Sequence, residues 1–221
     1  AEAWDAVYWL MADVLIKHEK ELYASDGVAD GDVFRRGTVA AKEELTDNVT
    51  AFTIEGDFSA PKPGQYTSIG VKLDDGARQL RQYSIIDGDA SRYRIAVQTD
   101  GEVSSFLQNR VAVGDTVDAT LAAGDLVLRP GDNPIVLISS GIGSTPLTGI
   151  LTHLVKHDDP RRVTYVHSDS SEATWAQAQE SRDLVAALND GSIHPFFRDS
   201  GERVDIHNID VAGADVYLCG G

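Results

Sequence analysis

The amino-acid sequence predicts two domains, an antiparallel β-barrel and then an α/β domain with a parallel sheet, preceded by a short N-terminal helix. A chain of 221 residues suits two domains of roughly 100 residues each. Residues 34–130 contain short β-patterned segments divided by turn signals, which is typical of a small barrel. Residues 131–221 alternate apolar strands with helical patterns, which is typical of a parallel sheet with crossover helices. We assign residues 1–24 to the helix and residues 25–33 to a linker.

The N-terminal segment has the pattern of an amphipathic helix from residue 3 to about residue 23. Its apolar residues recur at helical spacings: Trp4, Val7, Tyr8, Met11, Val14, Leu15 and Leu22. This stripe needs a surface that covers it, and the Gly- and Asp-rich residues 26–32 separate it from the β-region. On this pattern alone, the helix either ends a domain whose earlier part is absent or packs against the chain's own domains.

The predicted barrel strands occupy residues 34–45, 49–55, 65–73, 79–87, 93–99 and 116–121. The turn signals between them include residues 61–64, 74–76, 87–88 and 113–115. After the fifth strand, a short helical pattern opens with Gly101, Val103 and Ser104. Backbone N–H groups at the start of a helix attract anions, so we expect a phosphate group to bind there.

The polar chemistry of the barrel is concentrated in one strand, at Arg81, Gln82, Tyr83 and Ser84. Strand side chains alternate, so Arg81 and Tyr83 share one face while Gln82 and Ser84 share the other. A flavin nucleotide could use an arginine fork on its pyrophosphate, a tyrosine ring against the flavin, and a serine on a ring nitrogen. Taken alone, the four residues are better explained by an exposed arginine and a core tyrosine. The order of the surrounding segments reverses that judgement.

In the second half, the apolar run at residues 135–138 leads into a glycine-containing turn and then a helix. The turn consists of Gly141, Ile142, Gly143, Ser144, Thr145 and Pro146. Parallel sheets bind nucleotides just past the carboxyl end of a strand, where glycines allow a ligand to approach the backbone. We expect Thr145 to cap the helix and Pro146 to fit its first turn. A tight strand-to-helix turn without a ligand is the alternative.

The remaining pattern predicts a strand at residues 163–167, a helix from about residue 174 to residue 188, and strands at residues 193–198 and 216–218. The last strand runs into Cys219 and Gly220, at the same sheet edge as the glycine turn. A thiol there could touch a nicotinamide ring, although a lone cysteine is more often a small buried hydrophobe. His153 and His157 have the i, i+4 spacing of metal ligands but lack a third partner, so we predict no metal site.

The composition is strongly acidic, with a net charge of −16 and a pI near 4.6. Such a charge argues against nucleic acid or an anionic membrane as a partner. The 6 lysines and 13 arginines stand against 35 acidic residues, a balance that suits a halophilic cytoplasm, with an ordinary acidic protein as the alternative. One cysteine excludes an internal disulfide, and no apolar run approaches the roughly 18 residues of a membrane span. We expect a cytoplasmic protein.

The motifs, taken in order, resemble the ferredoxin–NADP reductase superfamily, and above all the reductase part of flavohaemoglobins. The matching segments are Pro63–Tyr66, Arg81–Ser84, Gly101–Ser104, Gly141–Pro146 and Tyr217–Gly220. The likeness covers residues 34–221, and the N-terminal segment is similar to the last globin helix of flavohaemoglobins. The resemblance implies an FAD-binding barrel at residues 34–130 and an NAD(P)H-binding domain at residues 131–221.

The resemblance also implies roles for individual residues. FAD would be held by Tyr66, Arg81, Gln82, Tyr83 and Ser84, with Gly101, Val103 and Ser104 near its pyrophosphate. NAD(P)H would contact Gly141, Ile142, Gly143, Ser144, Thr145, Pro146, Cys219 and Gly220. Ser84, as the residue that tunes flavin N5, and Cys219 are the catalytic candidates. Asp169 follows the second nucleotide-domain strand, where a carboxylate would repel a 2′-phosphate and favour NADH.

In the family, a hydride passes from the nicotinamide to the flavin, and single electrons pass on to haem, which converts nitric oxide and oxygen into nitrate. The family usually has proline after Cys-Gly, whereas here Gly221 follows. We expect the globin and the C-terminal extension to be missing, and haem to belong only to the missing globin. Two alternatives stay open: a free-standing reductase of ferredoxin, flavin or ferric iron, and a non-catalytic nucleotide-binding regulatory subunit.

Overall fold

The computed structural model describes residues 2–25, 33–73 and 76–221. The helices are α1 (Glu2–Ser25), α2 (Glu102–Arg110), α3 (Ser144–Lys156) and α4 (Ala178–Ala187). The barrel strands are β1 (Phe34–Thr46), β2 (Val49–Glu55), β3 (Tyr66–Lys72), β4 (Arg78–Gly88), β5 (Arg92–Gln98) and β6 (Thr116–Thr120). The strands of the second half are β7 (Ile135–Ser140), β8 (Val163–Asp169), β9 (Gly191–Phe197) and β10 (Asp215–Cys219).

The first half is a closed antiparallel barrel with strand order β1-β2-β5-β4-β3-β6. It closes where Phe34 of β1 lies opposite Thr120 of β6. Alternate side chains point inward and form one core, in which Phe58 stacks on Tyr93 with ring centroids 4.3 Å apart. The predicted barrel is therefore confirmed, since its short alternating strands could bury a continuous apolar face only by closing on themselves.

The second half is a parallel sheet, as predicted, and its strand order is β10-β7-β8-β9. Its core packs α3 and α4 against one face of the sheet, with Leu147, Ile150 and Leu151 fully buried. The expected helix at residues 174–188 begins later, at Ala178. Thr174 explains the delay, because its hydroxyl shares its one hydrogen between Asp169 Oδ1 and Ser171 O and holds residues 172–174 in a separate 3₁₀ turn.

The two halves meet where β4 passes along α3. A Cβ atom on Gly149 of α3 would lie only 2.5 Å from the carbonyl oxygen of Ile85, so glycine is required for this approach. Lys156 pairs with Asp87, and Arg94 pairs with Glu180 at 2.7 Å. The strand that carries residues 81–84 thus continues directly into the contact between the domains.

The N-terminal helix α1 is confirmed, and its large apolar side chains are exposed to solvent: Trp4, Val7, Tyr8, Trp9, Leu10, Met11, Val14, Leu15 and Ile16. Most of the predicted linker at residues 25–33, and the turn at residues 74–76 except its last residue, lie outside the described residues. No helix in the described part of the chain is both long and apolar enough to cross a membrane.

Candidate functional site

Arg81 is exposed on β4, and its guanidinium is oriented by two local hydrogen bonds. Nη1 donates to Leu80 O at 2.7 Å, and Nη2 donates to Gln79 Oε1 at 3.1 Å. The amide of Gln79 in turn donates to Glu102 Oε2 at 2.9 Å, in the first turn of α2. Gln79 therefore links the Arg81 guanidinium to the Glu102 side chain in the first turn of α2, so a guanidinium and a helix N-terminus are joined at one edge of the barrel.

The three residues predicted to lie near a pyrophosphate, at the start of α2, have different surroundings. Gly101 is the N-cap, and a Cβ atom there would meet nothing within 4 Å, so space is open beyond it. Ser104 Oγ accepts hydrogen bonds from the N–H groups of Asp100 and Gly101, at 3.0 and 2.9 Å. Val103 is buried in the barrel core. A ligand would therefore meet backbone at Val103 and a capping hydroxyl at Ser104, with open space at Gly101.

The two predicted aromatic residues lie on opposite faces of the paired strands β3 and β4. Tyr66 of β3 is paired with Ser84, and residues paired across antiparallel strands share a face. Gln82 is exposed on that same face by strand alternation. Tyr83 points the other way and packs half-buried against the barrel core. Burial raises the pKa of Tyr83 to about 12 against the opposing effect of Arg81, so its phenol stays neutral.

The backbone of the glycine turn packs closely against the backbone at the end of β10. A Cβ atom on Gly143 would lie 2.5 Å from Cys219 O, and one on Gly220 would lie 2.5 Å from Ser140 O. Gly141 has a φ of +53° with no atom within 4 Å of an added Cβ, so this position opens to space. Two glycines of the predicted site thus allow the strand ends to approach, and one leaves room above the turn.

The helix after the turn differs in detail from the prediction. Thr145 does not cap α3: the N-cap is Gly143, and the Thr145 hydroxyl donates to Ile142 O at 2.9 Å. The turn is tight enough to bring Ser144 into the helix, so Thr145 already lies one residue inside it. Ser144 Oγ instead donates to Gln177 Oε1 at 2.6 Å. Pro146 lies in the first helical turn, as predicted.

A cleft of about 180 Å³ separates this turn from the barrel. The turn contributes Gly141, Ile142 and Ser144, and the segment that follows β8 contributes Asp169, Ser170, Thr174 and Ala176. The barrel wall consists of Asn48, Val49 and Gln98, which sequence reasoning missed. Val49 and Gln98 are directly paired between β2 and β5, so only the barrel's strand order places them here.

Cys219 ends β10 beside Ser139 of β7, at the edge of the sheet where the turn lies. The thiol is free and half-buried, and burial raises its pKa, so it is a neutral thiol near neutral pH. The two histidines of α3 lie elsewhere: the His153 and His157 rings stack 3.9 Å apart. Within the described residues, no group of three potential ligands could hold a metal ion.

Comparison with known proteins decides the family. The flavohemoprotein of Pseudomonas aeruginosa is 40% identical over 176 residues, which cover 75% of this chain and 44% of that protein. The flavohemoglobin of Malassezia yamatoensis, solved with bound FAD and heme, matches 98% of this chain and 60% of its own, with a TM-score of 0.85 and 30% identity. The chain belongs to the ferredoxin–NADP reductase superfamily, with the flavohaemoglobins.

A second structure matches this chain over most of its own length. The flavohemoglobin-like FAD/NAD-binding domain of the nitric oxide dioxygenase from Vibrio cholerae has a TM-score of 0.73 and 29% identity over 83% of this chain and 86% of its own. No family model matches the chain. This member of the flavohaemoglobin family spans less than two thirds of its full-length relatives, in the part that holds the barrel and the parallel sheet.

Proposed function

We propose that this chain is the FAD-dependent NAD(P)H reductase module of a flavohaemoglobin-type nitric oxide dioxygenase. The observation that carries the proposal is the meeting of the barrel and the glycine turn of the parallel sheet across one cleft. The FAD-bound flavohemoglobin of Malassezia yamatoensis, which has the same fold over 98% of this chain, supports it. FAD supplies the acceptance of a hydride from NAD(P)H and the release of single electrons.

The barrel residues fit an FAD molecule. The guanidinium of Arg81 and the start of α2 present positive charge to a pyrophosphate, and the space beyond Gly101 admits it. Tyr66 of β3 and Tyr83 of β4 offer aromatic rings on opposite faces of this strand pair. We assign Ser84 to a hydrogen bond with flavin N5, and Gln82 to a polar contact on the same face.

The nucleotide domain fits a pyridine nucleotide. The turn from Gly141 to Pro146 admits the pyrophosphate at the start of α3, and Gly220 lets the end of β10 lie against it. We assign the neutral thiol of Cys219 to contact with the nicotinamide. Asp169 lines the cleft as a carboxylate that repels a 2′-phosphate, so NADH is the preferred donor.

The electron acceptor is a haem domain, which full-length relatives contain and which this chain does not cover. The exposed apolar side chains of α1, such as Trp4, Tyr8 and Met11, form the surface that such a domain covers.

The acidic composition supports a halophilic cytoplasm. In that case the melting temperature rises steadily as KCl is raised from about 0.1 M to above 1 M, past the range in which surface charge is already screened.

The absorbance spectrum of the purified protein, before and after NADH, tests the proposal. We expect flavin bands, no Soret peak, and bleaching of the flavin bands by NADH. Bound flavin that NADH does not bleach would favour the non-catalytic regulatory reading, and protein that stays colourless with excess FAD contradicts the proposal. Rapid reduction of free ferredoxin, flavin or ferric iron, with no electron transfer to a flavohaemoglobin globin domain added in trans, would favour a free-standing reductase.

A further inference from the structure

A buried hydrogen-bond chain lies beneath the glycine turn and belongs to no role assigned so far. The hydroxyl groups of Tyr165 and Ser139 are 3.0 Å apart, and Ser139 Oγ is 2.7 Å from His167 Nδ1. All three side chains are buried, with His167 wholly inaccessible. His167 Nε2 has no hydrogen-bond partner among the described residues and lies 3.4 Å from Asp169 Oδ2.

The donors and acceptors along this chain can be satisfied in one direction. If Tyr165 donates to Ser139, the serine hydrogen is free to donate to His167 Nδ1, and the imidazole proton then sits on Nε2. That proton faces the Asp169 carboxylate. Burial lowers the pKa of His167 to about 4, outweighing the opposite effect of Asp169, so the ring is neutral above that pH.

The His167 ring and the Asp169 carboxylate that it faces are both held in place. The ring of His167 stacks on Trp175 with centroids 4.1 Å apart and planes 20° apart, so it cannot rotate freely. Asp169 Oδ1 accepts from the N–H of Ser170 and from Thr174 Oγ1, both at 2.6 Å, and the residue lines the cleft. These hydrogen-bonded residues are not a hydrolase triad, because Ser139 is 3% exposed and no substrate can reach it.

We propose that His167 is a positioning residue that holds the Asp169 carboxylate toward the nucleotide cleft and so sets the preference for a ribose with a free 2′-hydroxyl over a 2′-phosphate. The proposal rests on the proposed function, because it requires that the cleft takes a pyridine nucleotide. A carboxylate fixed in this direction accepts a hydrogen bond from the hydroxyl and repels the phosphate. When His167 is replaced, Ser170 and Thr174 still hold Oδ1, but Oδ2 loses the proton that faces it and is free to shift, which weakens both effects.

Titration calorimetry with ADP-ribose and 2′-phospho-ADP-ribose tests this without any redox chemistry. We expect the wild type to bind ADP-ribose more tightly. His167→Asn keeps an acceptor near Ser139 but loses the group that faces Asp169, so it should reduce the ratio of the two affinities about tenfold. His167→Gln places its amide donor near the position of Nε2, so it should keep most of the ratio.

Three further measurements separate positioning from packing. On an Asp169→Asn background, His167→Asn should change the ratio less than twofold, because the two residues act through one contact. Val185→Ala creates a cavity in the same core without removing a contact to Asp169, so it should leave the ratio of the two affinities unchanged. Nitrogen NMR of the wild-type His167 imidazole should show the Nε2-protonated tautomer, and this measurement does not depend on the folding of any variant.

The failures are distinguishable. If the wild type binds neither ligand, the proposed function is wrong and this proposal is wrong with it. If the wild type binds ADP-ribose and His167→Asn keeps the wild-type ratio, only the positioning role is wrong. A tautomer protonated on Nδ1 would also overturn it, because no proton would then face Asp169.

Discussion

The two halves contribute different groups to the candidate site: the barrel contributes side chains, and the parallel-sheet half contributes backbone. The barrel presents side chains on an exposed stretch of strand, and hydrogen bonds to Leu80 and Gln79 orient Arg81. The parallel-sheet half presents backbone, brought together at Gly143 and Gly220 where a single Cβ atom would lie within about 3 Å of another residue's main chain. Ligand binding at the barrel should therefore be weakened when side-chain atoms are removed. Ligand binding at the parallel-sheet half should be weakened when side-chain atoms are added.

Adding one methyl group at Gly143 should have the largest effect. The new Cβ atom in Gly143→Ala would meet Cys219 O and Gly220 Cα at 2.5 and 2.6 Å, and backbone cannot move aside as a flexible side chain can. We expect a loss of about 3 kcal/mol in the free energy of unfolding and no measurable NADH binding. Urea unfolding and NADH titration would measure both.

Gly141→Ala is the matched control, because its Cβ atom meets nothing within 4 Å while φ is +53°. It should lose only about 1 kcal/mol from backbone strain. Equal losses in the two variants would show that strain at the turn, and not close approach to β10, sets the requirement for glycine.

The nucleotide half should also be the more sensitive to acid, through His167. Its folded-state pKa of about 4 lies below the ordinary value of 6.5, so the unfolded chain takes up the proton first as the pH falls. The stability that the neutral ring contributes is complete above pH 6.5 and is lost between there and about pH 4. The loss should be about 3 kcal/mol for this one group.

Urea unfolding of the wild type and His167→Gln at several pH values would isolate that contribution, since every other group is shared. The difference in unfolding free energy between the two proteins should shrink as the pH falls through this window. A difference that stays constant from pH 7 to pH 4 would mean that His167 is solvated or already charged in the folded protein.

Removing the Arg81 side chain should weaken FAD binding while the fold is retained. A charge-assisted contact to a pyrophosphate contributes about 1.5–3 kcal/mol, so Arg81→Ala should lower FAD affinity roughly 10- to 100-fold. The exposed position predicts a change in unfolding free energy within about 0.5 kcal/mol for the protein without FAD. Fluorescence titration with FAD would measure the affinity.

Arg78→Ala serves as the comparison on the same strand. Arg78 pairs with Asp118 at 2.9 Å and lies over the Phe34 ring, so it should affect stability slightly and FAD affinity not at all. If the two variants lost FAD to the same degree, general positive charge on β4 would be responsible, and the specific assignment of Arg81 would be wrong.

Periodicity and turn residues predicted the fold well because they report local structure. Strand alternation and the turn signals placed β1 to β6 within two residues of their observed ends. The start of α4 was missed, because Thr174 bonds back to Asp169 and Ser171 and a side-chain contact of this kind leaves no periodic signal. Thr145 was misread as a cap because the tightness of the preceding turn decides which residue comes first in the helix.

The site was less predictable than the fold. Residues with a motif, such as Arg81 and Gly143, could be proposed as site residues from sequence, whereas Asn48 and Gln98 line the cleft only because β2 and β5 are neighbours in the barrel. The buried chain through Ser139 and His167 depends on the parallel register of β7 and β8, which places these two residues side by side. His167 carried no usable pattern in the sequence, because nothing in a one-dimensional pattern marks a cross-strand contact.

The smallest effect should come from the ion pair that joins the two halves. Lys156 and Asp87 pair across the boundary, but the lysine side chain is 52% exposed, so solvent screens the attraction. Lys156→Met should cost less than about 1 kcal/mol at low salt and nothing at about 1 M KCl. Urea unfolding at the two salt concentrations would measure this, with the wild type as reference.

Close packing is expected to hold the halves instead, since Gly149 allows α3 to approach the main chain of Ile85. Gly149→Ala would place a Cβ atom 2.5 Å from that carbonyl oxygen and should therefore cost more than Lys156→Met at either salt concentration. If Lys156→Met were the more damaging of the two, charge and not packing would set the spacing between barrel and sheet. In a protein with a net charge of −16, that spacing would then vary with salt, and so would the rate of flavin reduction by NADH.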